Sequence, residues 1–297
     1  MGNEHLRRAR EVKDDEYYTF YDDVEKECEN YKEFFAGKVI YCPTDNQDSN
    51  FFKYFFINFT SLGLKKLIAT NINSNKAIIK DNVNILAYEE MEGKGDFLND
   101  TISEYLKEAD IVVTNPPFSL FRKFALKIMS EHKDFLMIAN ENASTSRDLF
   151  PFVKENIIKF GFNNVKEFQQ PDGSNKSFGN ICWLTTLPIL KNNLFIPTKE
   201  KLDTIQWYDN YEAVEVGKVK DIPKHCDYIM GVPQTYLKIQ NSHLYEIMGI
   251  ACGTSKTTKS YGDVPYAEGF DDHGGNPMID GKRKYTRIFI RERAVKV

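Results

Sequence analysis

Residues 111–118, reading Ile-Val-Val-Thr-Asn-Pro-Pro-Phe, constrain the fold of this chain more than any other stretch. The short β-branched run from Ile111 to Thr114 has the pattern of a buried parallel strand. It stops at Asn115-Pro116-Pro117, because proline has no N–H for a sheet ladder and turns the preceding residue away from helix. The strand therefore ends in a rigid loop carrying an amide side chain, backbone carbonyls and an aromatic ring, Phe118. In open α/β sheets, ligands bind beyond the carboxyl ends of the strands, where such a loop lies. Asn115 Oδ1 and a carbonyl of the Pro-Pro segment can accept the two hydrogens of an exocyclic amine while Phe118 stacks on a planar heterocycle. Asn-Pro also opens ordinary turns and Phe118 equally suits a core, so the stretch alone leaves both readings open.

The 297 residues suit one large or two modest domains, and a hydrophobic content of 41% supplies ample core. No apolar run is long enough to span a membrane, the charged N-terminus does not read as a signal peptide, and Leu6 stands where a myristoylation signal needs Ser or Thr. Five scattered cysteines, without a Cys-x-x-Cys pair or a histidine cluster, fit a reducing cytoplasm and provide no structural zinc site. No membrane, no metal and a cytoplasmic location are therefore expected. A net charge of −4 requires any nucleic-acid binding to come from a local patch.

In chain order, residues 3–13 read as a basic lead-in, followed by the cluster Asp15-Glu16-Tyr17-Tyr18-Thr19-Phe20-Tyr21 and a charged helix presenting Val24, Cys28 and Tyr31 on one face. Lys38–Cys42 reads as a first strand closed by Pro43. A polar turn, Thr44–Asn50, then leads into an aromatic helix from Phe51 to about Leu62. Asp48, Ser49 or Asn50 can cap that helix and leave its N–H groups facing the ligand edge of the sheet. An ordinary βα turn has the same outline. Lys66–Thr70 reads as strand two, ending at Asn71, where an acidic residue often binds a ribose diol. Residues 72–82 suit a loop or hairpin and 83–88 a strand. Gly93-Lys94-Gly95-Asp96-Phe97 follows, with a helix over 101–107; Asp96 can accept an adenine amine while Phe97 packs on the ring, or Gly95-Asp96 is simply a turn.

After the strand 110–114, a helix is expected around 119–129, a buried strand over 135–139 and a helix near 149–159. Val165–Gln169 and Asn180–Leu187 read as two strands joined through Pro171–Lys176, an antiparallel edge on a mostly parallel sheet. After Pro188 the periodic pattern breaks. The polar loop Gly253–Ser260 carries Lys256 and Lys259, and the C-terminal segment concentrates Lys282, Arg283, Lys284, Arg287, Arg291, Arg293 and Lys296. Alternation with Tyr285, Ile288 and Ile290 suits a strand with one cationic side, which is either a solvated face or a phosphate-contacting one.

These motifs, in this order, resemble the EcoRI-type adenine-specific DNA methyltransferases. The resemblance rests on Asp15–Thr19, on Val39–Cys42 with Asp45 and Ser49–Phe55, on Gly95-Asp96-Phe97 and on Thr114–Phe121. Further matches are Gly179–Trp183, Ile229–Pro233 and Gly281-Lys282-Arg283. It implies a Rossmann-like α/β fold with a seven-stranded methyltransferase sheet, S-adenosyl-L-methionine as cofactor and double-stranded DNA as partner. A catalytic domain over 1–190 and a target-recognition region over 191–297 are implied with it. Asn115, Pro116, Pro117 and Phe118 are then catalytic. Tyr17, Tyr18 and Thr19 would hold the methionine end of the cofactor, and Cys42, Pro43, Asp45, Ser49, Asn50 and Phe51 would replace the usual glycine loop. Asp96 and Phe97 would meet its adenine, with Asn71 where an acidic residue is usual. Lys256, Lys259, Lys282, Arg283, Lys284 and Arg287 would contact nucleic acid. The resemblance specifies neither a recognition sequence nor a cognate restriction endonuclease. The same motif chemistry also serves RNA adenine and protein glutamine methyltransferases, and a non-catalytic DNA-binding protein is the reading from a different class.

Overall fold

The computed structural model describes residues 17–92, 95–98, 103–189 and 194–293. The basic lead-in 3–13, Asp15, Glu16, Gly93, Lys94, the start of the helix expected from residue 101 and Lys296 lie outside them. The chain divides into two compact units, Met1–Ser144 with Lys159–Ile189, and Thr145–Ile158 with Leu190–Val297. Among the described residues, no helix is long and apolar enough to cross a membrane, and no group of three His, Cys, Asp or Glu side chains is placed to hold a metal ion.

The first unit contains β1 (Val39–Pro43), β2 (Lys66–Thr70), β3 (Lys76–Asp81), β4 (Ala87–Glu90), β5 (Ile111–Thr114), β6 (Asp134–Asn140), β7 (Lys159–Phe160), β8 (Glu167–Gln169), β9 (Asn175–Ser177) and β10 (Ile181–Thr185). Eight of these form one sheet in the order β4-β3-β2-β1-β5-β6-β10-β7. Its centre, β2-β1-β5-β6, is parallel, which gives the Rossmann-like arrangement. Both flanks are antiparallel: β3 and β4 form a hairpin beyond β2, and β10 runs against β6 and β7. The sheet thus has eight strands rather than the seven expected.

Three local expectations are corrected. The strand anticipated over 83–88 is confined to Ala87–Glu90, because Asp81 Oδ1 accepts the N–H groups of Val83 and Asn84 and bends the chain there. The helix near 149–159 spans only Phe150–Lys154, and the chain turns through Asn156 at a positive φ of 57° into β7. The segments 165–169 and 180–187 do not pair with each other. Glu167–Gln169 pairs instead with Asn175–Ser177 around Gly173 (φ +85°), where Asp172 Oδ1 accepts the Ser174 N–H and hydroxyl. Every residue of β10 is buried, so apolarity draws it into the interior of the main sheet.

The core of this unit lies on the face covered by the helices Tyr21–Cys28 and Asn50–Ile57. Phe51, Phe52, Tyr54 and Phe55 are all buried, and Phe51 packs on the fully buried Trp183 at 5.8 Å. Each such ring contributes about 1.5–3 kcal/mol of burial. Glu27 is the exception in this apolar layer. Its carboxylate is fully buried yet accepts Tyr31 Oη, the N–H groups of Phe162 and Asn163, and Asn163 Nδ2, at 2.8–2.9 Å.

The second unit is built on a four-stranded sheet, β11-β12-β16-β13, from β11 (Val214–Glu215), β12 (Met230–Pro233), β13 (Tyr245–Ala251) and β16 (Arg287–Glu292). A separate hairpin pairs β14 (Met278–Ile279) with β15 (Lys282–Arg283). Asp280 and Gly281 at its tip both have positive φ, 51° and 69°, the backbone a two-residue hairpin turn requires. Their N–H groups are held by the Asp209 carboxylate.

Candidate active site

The order of the parallel strands places a switch point between β1 and β5, since the chain runs outward to β2 from one and to β6 from the other. Ligands of open α/β sheets bind at such a point, beyond the carboxyl ends of the strands. Here those ends carry Thr44-Asp45 and Thr114-Asn115. Thr44 and Thr114 share a hydroxyl hydrogen bond of 2.6 Å, and Thr114 Oγ1 donates to Asp45 Oδ2 at 2.9 Å. The Asp45 N–H is fixed on the Thr70 carbonyl of the neighbouring β2. Asp45 is only 6% exposed. Burial pushes its pKa up to about 6, against the lowering effect of hydrogen bonds from Ser49 and Thr114.

Ser49 caps the helix Asn50–Ile57 by accepting the Phe52 N–H at 3.2 Å, which satisfies one of the free donors of that terminus. Asn50 Nδ2 donates to the Thr19 carbonyl at 2.8 Å. This bond ties the 17–19 segment to the helix start. Thr19 Oγ1 is buried and has no hydrogen-bond partner among the described residues. On the β2 side, Asn71 Nδ2 reaches the Thr44 carbonyl at 3.3 Å while Asn71 Oδ1 accepts the Asn73 N–H. The Gly95 backbone lies so close to Asn71 that a β-carbon there would stand 2.7 Å from the Asn71 carbonyl oxygen. Only glycine lets the loop bearing Asp96 lie against this corner.

The Asn115 amide is oriented by a backbone group distant in sequence. Asn115 Nδ2 donates to the Tyr17 carbonyl at 2.8 Å. A carbonyl accepts only a donor, so the amide is fixed with Oδ1 on the other side, where it is buried and has no partner among the described residues. Pro117 O accepts the Leu120 N–H at 2.8 Å. The Phe118 ring is half-buried in an aromatic cluster. Tyr17 lies nearly parallel to it at 5.9 Å and 23°, while Phe168 and Phe178 meet it edge-on at 6.1 and 5.9 Å.

The sequence candidates are thus distributed unevenly. Thr19, Asp45, Ser49, Asn50, Asn71 and the Asp96 loop converge on the carboxyl ends of β1 and β2. Cys42 and Phe51 instead bury their side chains in the hydrophobic core, and Pro43 is buried at the end of β1. Phe97 is 2% exposed, with one face taken by Phe124 at 4.4 Å and 30°. Tyr18 pairs through its backbone with Gln169. The Tyr17 ring lies on the Phe118 side, stacked on the residue that the sequence assigns to substrate. The sequence reading missed Thr44, Thr114 as an anchor of Asp45, and the Tyr17 carbonyl. The two hydroxyls sit at strand ends and were legible in outline, whereas the carbonyl is visible only in three dimensions. Thr19 Oγ1 and Asn115 Oδ1, buried and without partners among the described residues, leave hydrogen-bonding capacity for a polar ligand at this end of the sheet.

In the second unit, Lys282 and Arg283 are exposed on the β14–β15 hairpin, with Lys284 half-buried and Tyr285 88% exposed beside them. Lys256 and Lys259 are exposed at the short helix Ser255–Thr258, and Lys256 Nζ lies 5.9 Å from the Tyr266 ring centroid. Arg287 differs. Its guanidinium, 11% exposed, is paired with Glu215 at 2.6 Å, and Tyr208 Oη donates to the same carboxylate. Arg291 pairs with Glu246, and Arg293 bonds the Ser242 carbonyl. The cationic strand face anticipated over 282–293 is therefore largely internally neutralised, and its free charge is gathered at 282–284.

The family model described as adenine-specific methyltransferase EcoRI matches residues 5–87 and 70–293. The Type II methyltransferase M.EcoRI of Escherichia coli is 34% identical, covering 98% of this chain and 97% of its own. The Type II methyltransferases M.MgeORF184P of Mycoplasma genitalium and M.MpnI of Mycoplasma pneumoniae are 32% and 30% identical, covering 98% and 97% of this chain and 99% and 98% of theirs. With the Asn-Pro-Pro-Phe loop at the switch point and a match over nearly its whole length, the chain belongs to the EcoRI family of adenine-specific methyltransferases.

Proposed function

We propose that the protein transfers a methyl group from S-adenosyl-L-methionine to N6 of an adenine flipped out of duplex DNA. The observation that carries this reading is the Asn115 amide, held by the Tyr17 carbonyl so that a buried, partnerless Oδ1 is left beside Phe118. Adenine N6 is a poor nucleophile because its lone pair is delocalised into the ring. Oδ1 accepts one N6 hydrogen and the Pro116 carbonyl accepts the other, since Pro117 O is engaged by Leu120. Two acceptors favour a pyramidal nitrogen whose lone pair points at the electrophile, and Phe118 stacks on the base. A paired, stacked adenine cannot reach these groups, so the base leaves the duplex first.

Asp45, Thr19, Asn50 and Asp96 would hold the cofactor, which supplies an electrophilic methyl group when bound. The protein's part is alignment: donor and acceptor are fixed at the carboxyl ends of adjacent strands, β1 and β5, which makes the transfer effectively unimolecular. Lys282, Arg283, Lys284, Lys256 and Lys259 supply phosphate contacts from the second unit, which we assign to target recognition. The test is sequencing of modified bases in DNA from a host expressing the chain. N6-methyladenine in a defined sequence context is expected. Modified RNA or protein glutamine with unmodified DNA would overturn the reading.

A further inference from the structure

Lys176 stands at the rim of the first unit's site and has so far no role. It lies on β9, in a hairpin whose residues 171–177 are all exposed. Its Nζ donates to Tyr17 Oη at 2.8 Å and lies 5.1 and 5.3 Å from the Tyr17 and Phe178 ring centroids. Among the described residues it has no carboxylate partner. A cation held only by the Tyr17 phenol and the neighbouring Phe178 ring keeps its charge available for an anion. Tyr17 is also the residue whose carbonyl fixes the Asn115 amide and whose ring lies against Phe118. One residue thus joins Lys176 to both working parts of the catalytic loop.

The separation of the two rings bears on what can enter. A base stacked between Tyr17 and Phe118 needs two stacking intervals of about 3.4 Å, or about 6.8 Å. The centroids are 5.9 Å apart, an upper limit on the spacing of the two ring planes, so the gap is too narrow by at least about 1 Å.

We propose that Lys176 binds the backbone phosphate beside the target adenine and that Tyr17 forms the second face of the base pocket, opposite Phe118. The proposal rests on the reading of this site as acting on an adenine flipped from duplex DNA. In the free protein the Lys176 amine holds the Tyr17 ring close to Phe118. A phosphate oxygen is a charged acceptor and a stronger partner for Nζ than a phenol. Its arrival frees the ring to move outward and admit the base, while the Tyr17 carbonyl keeps Asn115 in place. Tyr17 then serves the substrate through its ring, on the opposite side from the cofactor role that the family resemblance implies for it.

The test uses the full chain and a duplex carrying the sequence identified by modified-base sequencing, with 2-aminopurine at the target adenine to report flipping. Lys176→Met keeps the aliphatic stem on the rings and removes the charge. It is expected to weaken duplex binding by about ten- to a hundredfold, the loss of one charged hydrogen bond, and to reduce the slope of log affinity against log salt by about one. Lys176→Arg should restore both. Tyr17→Phe keeps the ring but removes the hydroxyl that Lys176 holds, and should raise the flipped fraction at equal duplex occupancy. An unchanged salt slope in Lys176→Met, or no rescue by arginine, overturns the phosphate role. Wild-type flipping in Tyr17→Phe overturns the restraint. Wild-type protein run in parallel separates the two readings: if it forms no N6-methyladenine the proposed function fails, and if it does while the variants match it, only the present proposal fails.

Discussion

Replacing Asn115 with alanine should separate catalysis from stability in a way that few active-site changes do. The side chain makes one hydrogen bond, to the Tyr17 carbonyl at 2.8 Å, and carries one buried acceptor with no partner. Loss of the bond costs about 1 kcal/mol, and removal of an unsatisfied buried acceptor returns about 1–3 kcal/mol of desolvation. The two terms offset, so folding stability should be unchanged or rise by up to about 2 kcal/mol. The chemical step should instead lose the acceptor that localises the N6 lone pair. Removal of one preorganised hydrogen-bonding group of this kind slows turnover by about 10²–10³-fold. Urea denaturation and single-turnover methyl transfer to a duplex, each on wild type and variant, provide the two measurements, and titration with S-adenosyl-L-methionine checks that cofactor affinity persists. Destabilisation by several kcal/mol would show that Asn115 is structural. A single-turnover rate within a few-fold of wild type would remove it from the chemistry.

Asp45→Asn should stabilise the protein at pH 8 by up to about 3 kcal/mol. The carboxyl's pKa is raised from 3.8 to about 6 by burial, so the contribution of the native residue is full below 3.8 and lost as pH rises through about 6; denaturation midpoints across that window check the sign. The same change should weaken binding of S-adenosyl-L-methionine by about 1–3 kcal/mol, read by calorimetry. Gly95→Ala should cost about 1–3 kcal/mol of stability, because its β-carbon meets backbone rather than a movable side chain, and it should lower cofactor affinity by displacing Asp96. Arg287→Ala and the pair Lys282→Ala with Arg283→Ala should act on different quantities. The first leaves Glu215 unpaired in a mostly buried ion pair and should cost about 3–5 kcal/mol of stability. The second should leave the melting temperature unchanged and flatten the salt dependence of duplex binding by about two units of slope, one for each charge.

The sequence by itself determined the elements whose cause is local. Ile111–Thr114 is a strand because it is β-branched and apolar, and it ends where it does because prolines follow. Lys66–Thr70 is found with the limits the sequence predicts, and Lys38–Cys42 shifts by one residue. The order of motifs along the chain was enough to predict the family and the adenine-directed chemistry. Tertiary structure decided what depends on partners distant in sequence. Periodicity cannot say whether 165–169 pairs with 180–187 or with 175–177; the choice follows from burial of the apolar Ile181–Thr185 inside the main sheet, which leaves the polar, exposed Asn175–Ser177 as the partner. Nor does charge along 282–293 reveal that Glu215 and Glu246 already engage Arg287 and Arg291, since those carboxylates lie more than forty residues away in the chain. The orientation of Asn115 is the sharpest case. An amide has two ends of opposite hydrogen-bonding sense, and only a carbonyl 98 positions earlier, at Tyr17, fixes which end is left for the substrate.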